Sequence, residues 1–474
     1  MNHDAIIQQL RDELKELKQI VMQQASKIAE QAKKISAQAS EIIKLHKQLN
    51  KNSNNSSKPP SSDGLKKKPR TQSLRKTGQN QSGGQKGHPG KTLRQVSNPN
   101  HAKRYKLIAC PKCSSSLTNV QVDQLKKRQV FDIAMPKLEV TEHQVEVKKC
   151  PCCGEKVESP FPEGIQAPVQ YGPNIQSFAQ YLQHGQLIPE DRLQEIFSDI
   201  FGIKIATATL TTFSKRLSNK LEPFEQSVLN KIRKAIKKHL DETGFRINGK
   251  TQWLHVASNE HLTYYHFSKK RKSLLEGLLG TVIHDHWKPY YQLFNVKHAL
   301  CNAHHLRELK SLIEDKEPWA YKMWCFLLFA HRCRKVYPDC SIPPDTLSTL
   351  IDFYESIVDE GFQWHSGLSP LPSYGTRGRK KRRPGHNLLL RLQKYKNDVL
   401  RFLSDYHVPF TNNQAERDIR MMKCKQKISG GFRTDDGAQQ FVRIRGFIST
   451  ARKQGWNIFQ SLSRAVASDV PMPS

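Results

Sequence analysis

The chain has 474 residues, enough for several domains, and its 76 Lys and Arg against 43 Asp and Glu leave a net charge of +33. An excess of that size points to a polyanionic partner, nucleic acid first. No apolar run is long enough to span a bilayer and the polar N-terminus shows no signal-peptide pattern, so neither a membrane nor a secreted protein is expected. The ten cysteines include two tight pairs, which suits metal binding in a reducing compartment better than a disulfide framework.

Ile7, Leu14, Val21, Ile28, Ile35, Ile42 and Leu49 recur every seven residues. Leu10, Leu17 and Leu45 hold the second seam position, with Gln24, Gln31 and Gln38 between them. This period predicts a coiled coil over residues 1–50, its β-branched seam favouring two strands. The partner would be another copy of the chain, in a homodimer or higher oligomer; a lone amphipathic helix laid on the body is the alternative. Residues 51–104 read as a flexible basic linker. From Lys58 to Arg104 there are twelve basic residues, Lys66, Lys67, Lys68 and Arg70 among them, against one acid, Asp63. Such a segment cannot bury a core. Its cations either contact phosphates without reading sequence or only solvate the chain.

Over residues 105–160, Cys110-Pro-Lys-Cys113 and Cys150-Pro-Cys-Cys153 form two CxxC knuckles. Between them Val130–Ile133 and the alternating Leu138, Val140, Val145 and Val147 read as strands. The pattern predicts a zinc ribbon with a structural Zn2+ on Cys110, Cys113, Cys150 and Cys153, Cys152 being spare. Residues 165–232 turn helical. Leu193, Ile196, Phe197 and Ile200 mark one helix, Phe201-Gly202-Ile203 breaks it, and Leu210, Phe213 and Leu217 mark a second. Its other face carries Lys215 and Arg216, the outline of a helix-turn-helix or of two helices that merely pack.

In the next segment, 233–312, Asn248-Gly249 is a two-residue hairpin signal. The strand before it carries Asp241; Trp253–Ala257 and Leu262–Phe267 read as the second and third strands. Asp241 is either an acid facing water or the first ligand of a metal site. Ser273–Leu279 reads as a helix, and Thr281–Asp285 as a strand ending in an acid, where active-site acids lie in such sheets. A fifth strand starts at Ala299, followed by a helix over His304–Leu312. That order is ribonuclease-H-like, with the fourth strand beside the first and their acids adjacent. Cys301 with His304 or His305 has ligand-like spacing, for which packing or phosphate contact is the preferred reading.

Residues 313–404 interrupt this layout with helices over Trp319–Val336, Pro344–Glu360 and His386–Leu403. Between the last two lies a basic loop whose Arg379, Lys380, Lys381 and Arg382 either clamp DNA or are ordinary surface charge. The layout resumes over 405–474. Thr411 and Gln414 form a capping box, so a helix begins there. Glu416 and Asp418 point to different faces, so only one can reach a site shared with the other acids. Glu416 is a third acid or simply an i, i+4 partner of Arg420. Phe441–Phe459 reads as a closing helix.

These motifs together resemble the sixty-six family of bacterial and archaeal insertion-sequence transposases. The residues that carry the resemblance are Asn55–Asp63 (NSSKPPSSD), Gly83–Gly90 (GGQKGHPG), the two CxxC knuckles, Asp241-Glu-Thr-Gly244 and Thr411–Arg417 (TNNQAER). It implies a DDE catalytic core in which Asp241, Asp285 and Glu416 are the triad, and a helical insertion between the second and third acids. Where the family usually has Asp-Gly-Tyr, this chain has Asp285-His286-Trp287, followed by Pro289-Tyr290-Tyr291. Two Mg2+ (or Mn2+) ions per site would be held by the carboxylates. The partners implied are transposon ends and target DNA, with accessory proteins of the same element, in a cytoplasmic, nucleoid-associated prokaryotic protein. Lys66, Lys67, Lys68, Arg70, Lys215, Arg216, Arg379, Lys380, Lys381, Arg382 and Arg420 are the expected DNA contacts. The expected fold class is thus multidomain α+β: coiled coil, zinc ribbon, helix-turn-helix-like region and a ribonuclease-H-like core with a helical insertion. The rival functions are a structure-selective nuclease on the same fold, which cuts without joining, and a catalytically inactive zinc-containing DNA-binding regulator.

Overall fold

The structure is a computed structural model that describes residues 3–52, 55–56, 93–133, 136–369, 371 and 382–473. Lys66, Lys67, Lys68, Arg70, Arg379, Lys380 and Lys381 lie outside the described residues. The chain divides into two compact units, one of Gln72–Pro168 with Gln194–Ile205, the other of the remainder.

Helix α1 (His3–Leu49) runs unbroken for 47 residues. Its described seam residues, from Leu14 through Ile28 to Leu49, are all exposed. In the cysteine-rich segment the only regular ladder among the described residues joins β1 (Val147–Lys149) to β2 (Lys156–Glu158), antiparallel. The strands expected over Val130–Ile133 and Leu138–Val145 do not form. Val130, Ile133 and Val140 are almost fully exposed. Their alternation meets no opposing strand, and an isolated strand has nothing to bury against.

Helices α2 (Pro173–Gln180), α3 (Glu190–Phe201), α4 (Thr207–Lys220) and α5 (Glu222–Lys234) follow. On α4, Leu210, Phe213 and Leu217 are buried, while Lys215 and Arg216 are exposed. The next segment is a five-stranded mixed sheet in the order β5–β4–β3–β6–β7. β3 (Lys237–Ile247), β4 (Lys250–Ser258) and β5 (Thr263–Ser268) form an antiparallel meander. Asn248 and Gly249 close its first hairpin with φ of 46° and 72°, the paired left-handed geometry that Asn-Gly favours. β6 (Thr281–His284) lies parallel to β3 and β7 (Lys297–Leu300) parallel to β6.

No helix forms over Ser273–Leu279. This segment crosses from the sheet edge to β6 as an irregular strap, its Leu279 amide donating to the Arg233 carbonyl at 3.0 Å. Gly280 ends it at φ 75°, where a Cβ would lie 2.5 Å from the Ile236 carbonyl oxygen. That close approach, needed to start β6 beside β3, overrides the helical period of the leucines.

Beyond β7 come α6 (Asn302–Glu314), α7 (Pro318–Val336), α8 (Pro344–Ser366), α9 (Pro384–Lys394), α10 (Lys396–Val399) and α11 (Arg401–Ser404). They build a core around Trp319, Phe326, Tyr354, Leu389 and Phe402 that also takes in Ile283 of β6 and Ala299 and Leu300 of β7. The helix expected over His386–Leu403 is three short ones, broken at Tyr395 and Leu400. α12 (Asn413–Ser429), α13 (Asp435–Lys453) and α14 (Ile458–Val466) complete the chain; the expected closing helix is split at Gln454–Asn457. α12 packs on one sheet face through Ala415, Ile419 and Met422, against Phe245, Ile247, Leu254 and Val256. α5 and α14 line a second core with Leu240, Ala257 and Val282 from the other face.

Candidate functional site

Two further carboxylates from distant segments, Asp285 and Glu416, come within electrostatic reach of Asp241 on β3. Asp241 lies mid-strand, opposite Val256 of β4, with the parity of Phe245 and Ile247, which pack beneath α12. Asp285 follows β6 directly. Since His239 pairs with Ile283, Asp241 and Asp285 stand at the same height in adjacent parallel strands. Glu416 comes from the first turn of α12. Burial, then the charges of Glu242, Asp285 and Glu416, raise the Asp241 carboxyl well above its ordinary range. Burial and Glu242 push Asp285 up to about 6, against the Trp287 amide and Arg271. Ionised carboxylates held near one another repel, and a divalent cation relieves the repulsion. An all-oxygen set of Asp and Glu suits a hard ion such as Mg2+.

Neighbouring groups hold these acids. The Glu242 amide donates to Asp241 Oδ1 at 2.9 Å, and the Trp287 amide to Asp285 Oδ1 at 2.9 Å. Glu242 itself is a buried fourth acid, bound by the Tyr290 hydroxyl and by Arg271 at 2.6 Å. The Arg271 guanidinium sits between the rings of Trp253, at 4.9 Å, and Trp287, at 4.4 Å. Sequence reasoning passed over Glu242, Arg271 and Tyr290. The adjacency of Glu242 to Asp241 was the available signal, but its partners come from the strap and from beyond β6.

Asn412 is the N-cap of α12, not Thr411, and no side-chain cap bond forms. The capping box gives way because Asn412 is used elsewhere. Its Nδ2 donates to the Leu240 carbonyl at 2.7 Å and its Oδ1 meets His239 Nδ1 at 2.8 Å. With Lys423 donating to the Gly244 carbonyl at 2.8 Å, this pins α12 along β3. Glu416 has an ion pair with Arg307 at 3.9 Å. Asp418 lies on another face of the helix, paired with Lys453 at 2.7 Å, both side chains about nine-tenths buried. Arg420 is exposed on α12, and Arg382 is exposed before α9.

Cys301 caps α6. Its sulfur accepts the Asn412 amide at 3.1 Å, while burial pushes the thiol up to about 12. His304 and His305 are pushed down to about 3 by burial and are neutral. His305 Nδ1 is bonded to Asn302 at 3.0 Å. His304 Nδ1 is buried without a hydrogen-bond partner. The ligand atoms of Cys301, His304 and Glu416 lie within 4.8 Å of one another.

The two CxxC knuckles are built alike. The Ser114 amide donates to the Cys110 carbonyl at 2.8 Å, and the Gly154 amide to the Cys150 carbonyl at 2.9 Å. Each turn is flanked by a short antiparallel pairing, Ala109 with Ser116 and Lys149 with Lys156. The Ser115 hydroxyl and amide hold the Cys113 thiol down to about 7, and the Cys153 and Cys152 amides lower Cys150. Each knuckle brings its own pair together; no three of these four thiols come within 4.8 Å of each other. Among the described residues no helix is long and apolar enough to cross a membrane.

A mixed α/β protein with a clustered-carboxylate site and paired cysteine knuckles is the class that these features define. Residues 168–440, more than half of the chain, match the family described as Transposase IS66 family. Residues 108–154 match the zinc-finger binding domain of transposase IS66, and residues 3–94 a family of unknown function. The chain belongs to the IS66 family of transposases. It is also similar to the uncharacterized protein y4jO of Sinorhizobium fredii (strain NBRC 101917 / NGR234), 32% identical over 82 residues, 17% of this chain and 26% of that protein. The chain thus spans about a quarter of the length of the curated relative it matches.

Proposed function

We propose that the protein is an insertion-sequence transposase that cleaves and joins DNA ends with Asp241, Asp285 and Glu416 as its catalytic triad, on a ribonuclease-H-like core. The observation that carries this reading is that Asp285 and Glu416, from distant segments, lie close enough to Asp241 for each to raise the cost of ionising it. Divalent ions, Mg2+ or Mn2+ and two per site, would activate the attacking oxygen and stabilise the departing one in an in-line phosphoryl transfer.

The chain's own residues supply the frame. Asp241 is held on an internal strand and Asp285 at the end of its parallel neighbour, so neither moves without shifting the sheet. Their Oδ1 atoms are oriented by backbone amides, which leaves the second oxygen of each for coordination. Glu416 stands on a helix, half-buried, with a loose ion pair to Arg307, and is the ligand best able to adjust. The Arg271–Glu242–Tyr290 cluster braces Asp241 and Asp285 from the strap side. Lys215, Arg216, Arg382 and Arg420, with the basic segments outside the described residues, supply phosphate contacts that set affinity and salt dependence.

A Zn2+ ion on Cys110, Cys113, Cys150 and Cys153 closes the two knuckles into one ribbon, since lowered thiol pKa and amide-to-sulfur bonds favour the thiolates that zinc takes. Copies of the chain pair through α1 in a parallel coiled coil, whose exposed seam has no partner along its described length. Ile28→Glu would bury a charge in that seam and should split the assembly, read as a halved or smaller mass by sedimentation. Labelled element ends incubated with Mg2+ test the reaction. Joined product is expected. Cleavage without joining would make the protein a nuclease, and salt-dependent binding with neither would remove the enzyme reading.

A further inference from the structure

Cys301, His304 and Glu416 place one sulfur, one nitrogen and one oxygen donor within 4.8 Å of each other. Tetrahedral zinc, with bonds of about 2.0–2.3 Å, sets its donors roughly 3.3–3.7 Å apart, so only a small inward shift is needed. Two further observations point to a cation. The Cys301 sulfur accepts the Asn412 amide at 3.1 Å, a bond that favours the thiolate a metal would take. The Nδ1 of His304 is buried beside it with no hydrogen-bond partner, a costly arrangement that a metal ion satisfies. The imidazole and sulfur suit zinc better than Mg2+, which prefers oxygen.

We propose that Cys301, His304 and Glu416 form a second zinc site, with solvent as the fourth donor, and that a zinc ion bound there withdraws Glu416 from Asp241 and Asp285. The competitor for Glu416 is Arg307, whose 3.9 Å ion pair is weak. Zinc therefore inhibits the Mg2+-dependent reaction at a site separate from the ribbon. The zinc binding stands on the ligand geometry alone, whereas the inhibition rests on the three acids being the triad.

The test is zinc counting by elemental analysis on the full-length chain, equilibrated with excess zinc and desalted, for wild type, Cys301→Ser and His304→Gln. Circular dichroism establishes which variants are folded. Two ions per chain are expected in wild type and one in each folded variant. A wild-type count of one overturns the site whatever the variants do, and so does a variant that retains two. In parallel, end joining in Mg2+ is titrated with zinc. The concentration that halves each protein's own rate should rise about tenfold or more in the variants; equal sensitivity overturns the inhibitory role. A chain that binds two ions but never joins ends keeps the zinc site and loses the triad. One that joins ends with one ion keeps the triad and loses the site.

Discussion

The cysteine knuckles and the acidic cluster both gather metal-type ligands, but by opposite means. Each knuckle is complete within eight residues: a tight turn, two backbone bonds and a short flanking pairing. The acidic cluster draws Asp241, Asp285 and Glu416 from two strands and a helix, and no local bond connects them. A knuckle is therefore insulated, because its geometry is bought within its own turn. The acidic cluster inherits every change in the packing of α12 on β3 or in the strap before β6.

The largest effect should come from the acids themselves. Asp241→Asn keeps the shape and removes a ligand charge, so joining in Mg2+ should fall by about 10³-fold or more, the equivalent of several kcal/mol of transition-state stabilisation. Binding of element ends should keep its salt dependence in a gel-shift titration. Joining by Asp241→Asn at near the parental rate would make the acidic cluster a structural feature, no different in kind from a solvated turn.

Next is the helix that delivers Glu416. Asp418→Asn leaves Lys453 buried without its charge partner, which should cost about 3 kcal/mol in denaturant unfolding. Joining per folded molecule should survive, because Asp418 lies on the other face. If Asp418→Asn is dead while Glu416→Gln is active, the third acid is wrongly assigned.

The pH response sharpens the same contrast. Asp285 has a folded pKa of about 6, above its unfolded value near 4. Between those pH values the folded state keeps a proton that the unfolded state has lost. Stability therefore falls as pH rises through this window, by up to about 3 kcal/mol once the group is ionised. Chemical denaturation with EDTA at pH 4.5 and pH 7.5 should show the loss, in about that range of pH, and Mg2+ should restore stability at the higher pH only. No Mg2+ effect at either pH would count against a cation at these acids.

The most contained effect is expected at the knuckles. Cys113→Ser should lower zinc content and loosen residues 105–160, measured by hydrogen exchange, while the unfolding transition of the sheet core stays in place. A shift of the core transition would show that the two regions are not as independent as their construction suggests.

What could be read directly was what short-range chemistry settles. The Asn248-Gly249 hairpin needs left-handed backbone that Asn and Gly supply, and it forms where expected. The heptad of α1 and the apolar faces of α3 and α4 follow from periodicity. Asp241 and Asp285 could be placed at matched heights because a strand-meander-strand order with a parallel return leaves few alternatives. Reading failed where a distant partner decided. Leu274, Leu275 and Leu278 have helical spacing, yet Gly280 must approach the Ile236 carbonyl, so the segment is a strap. Val130, Ile133 and Val140 alternate as a strand does, but among the described residues no second strand lies beside them. Thr411 reads as the cap of α12, but Asn412 caps it and bridges to His239 and Leu240, which nothing near it in sequence reveals.

By itself, then, the sequence determined the ligand types, their order and the local turns: two CxxC knuckles, one acid on a strand, one after a strand and one at a helix start. Only the tertiary structure decided which groups meet. It brought Glu416 into electrostatic reach of Asp241, paired Asp418 with Lys453, buried Glu242 against Tyr290 and Arg271, and set Cys301 and His304 beside Glu416. The physical reason is that a turn or a helical period is settled by bonds within a few residues. Convergence of side chains from β3, β6, α6 and α12 is settled by how helix faces bury their apolar residues on a sheet, and that choice is made over the whole core at once.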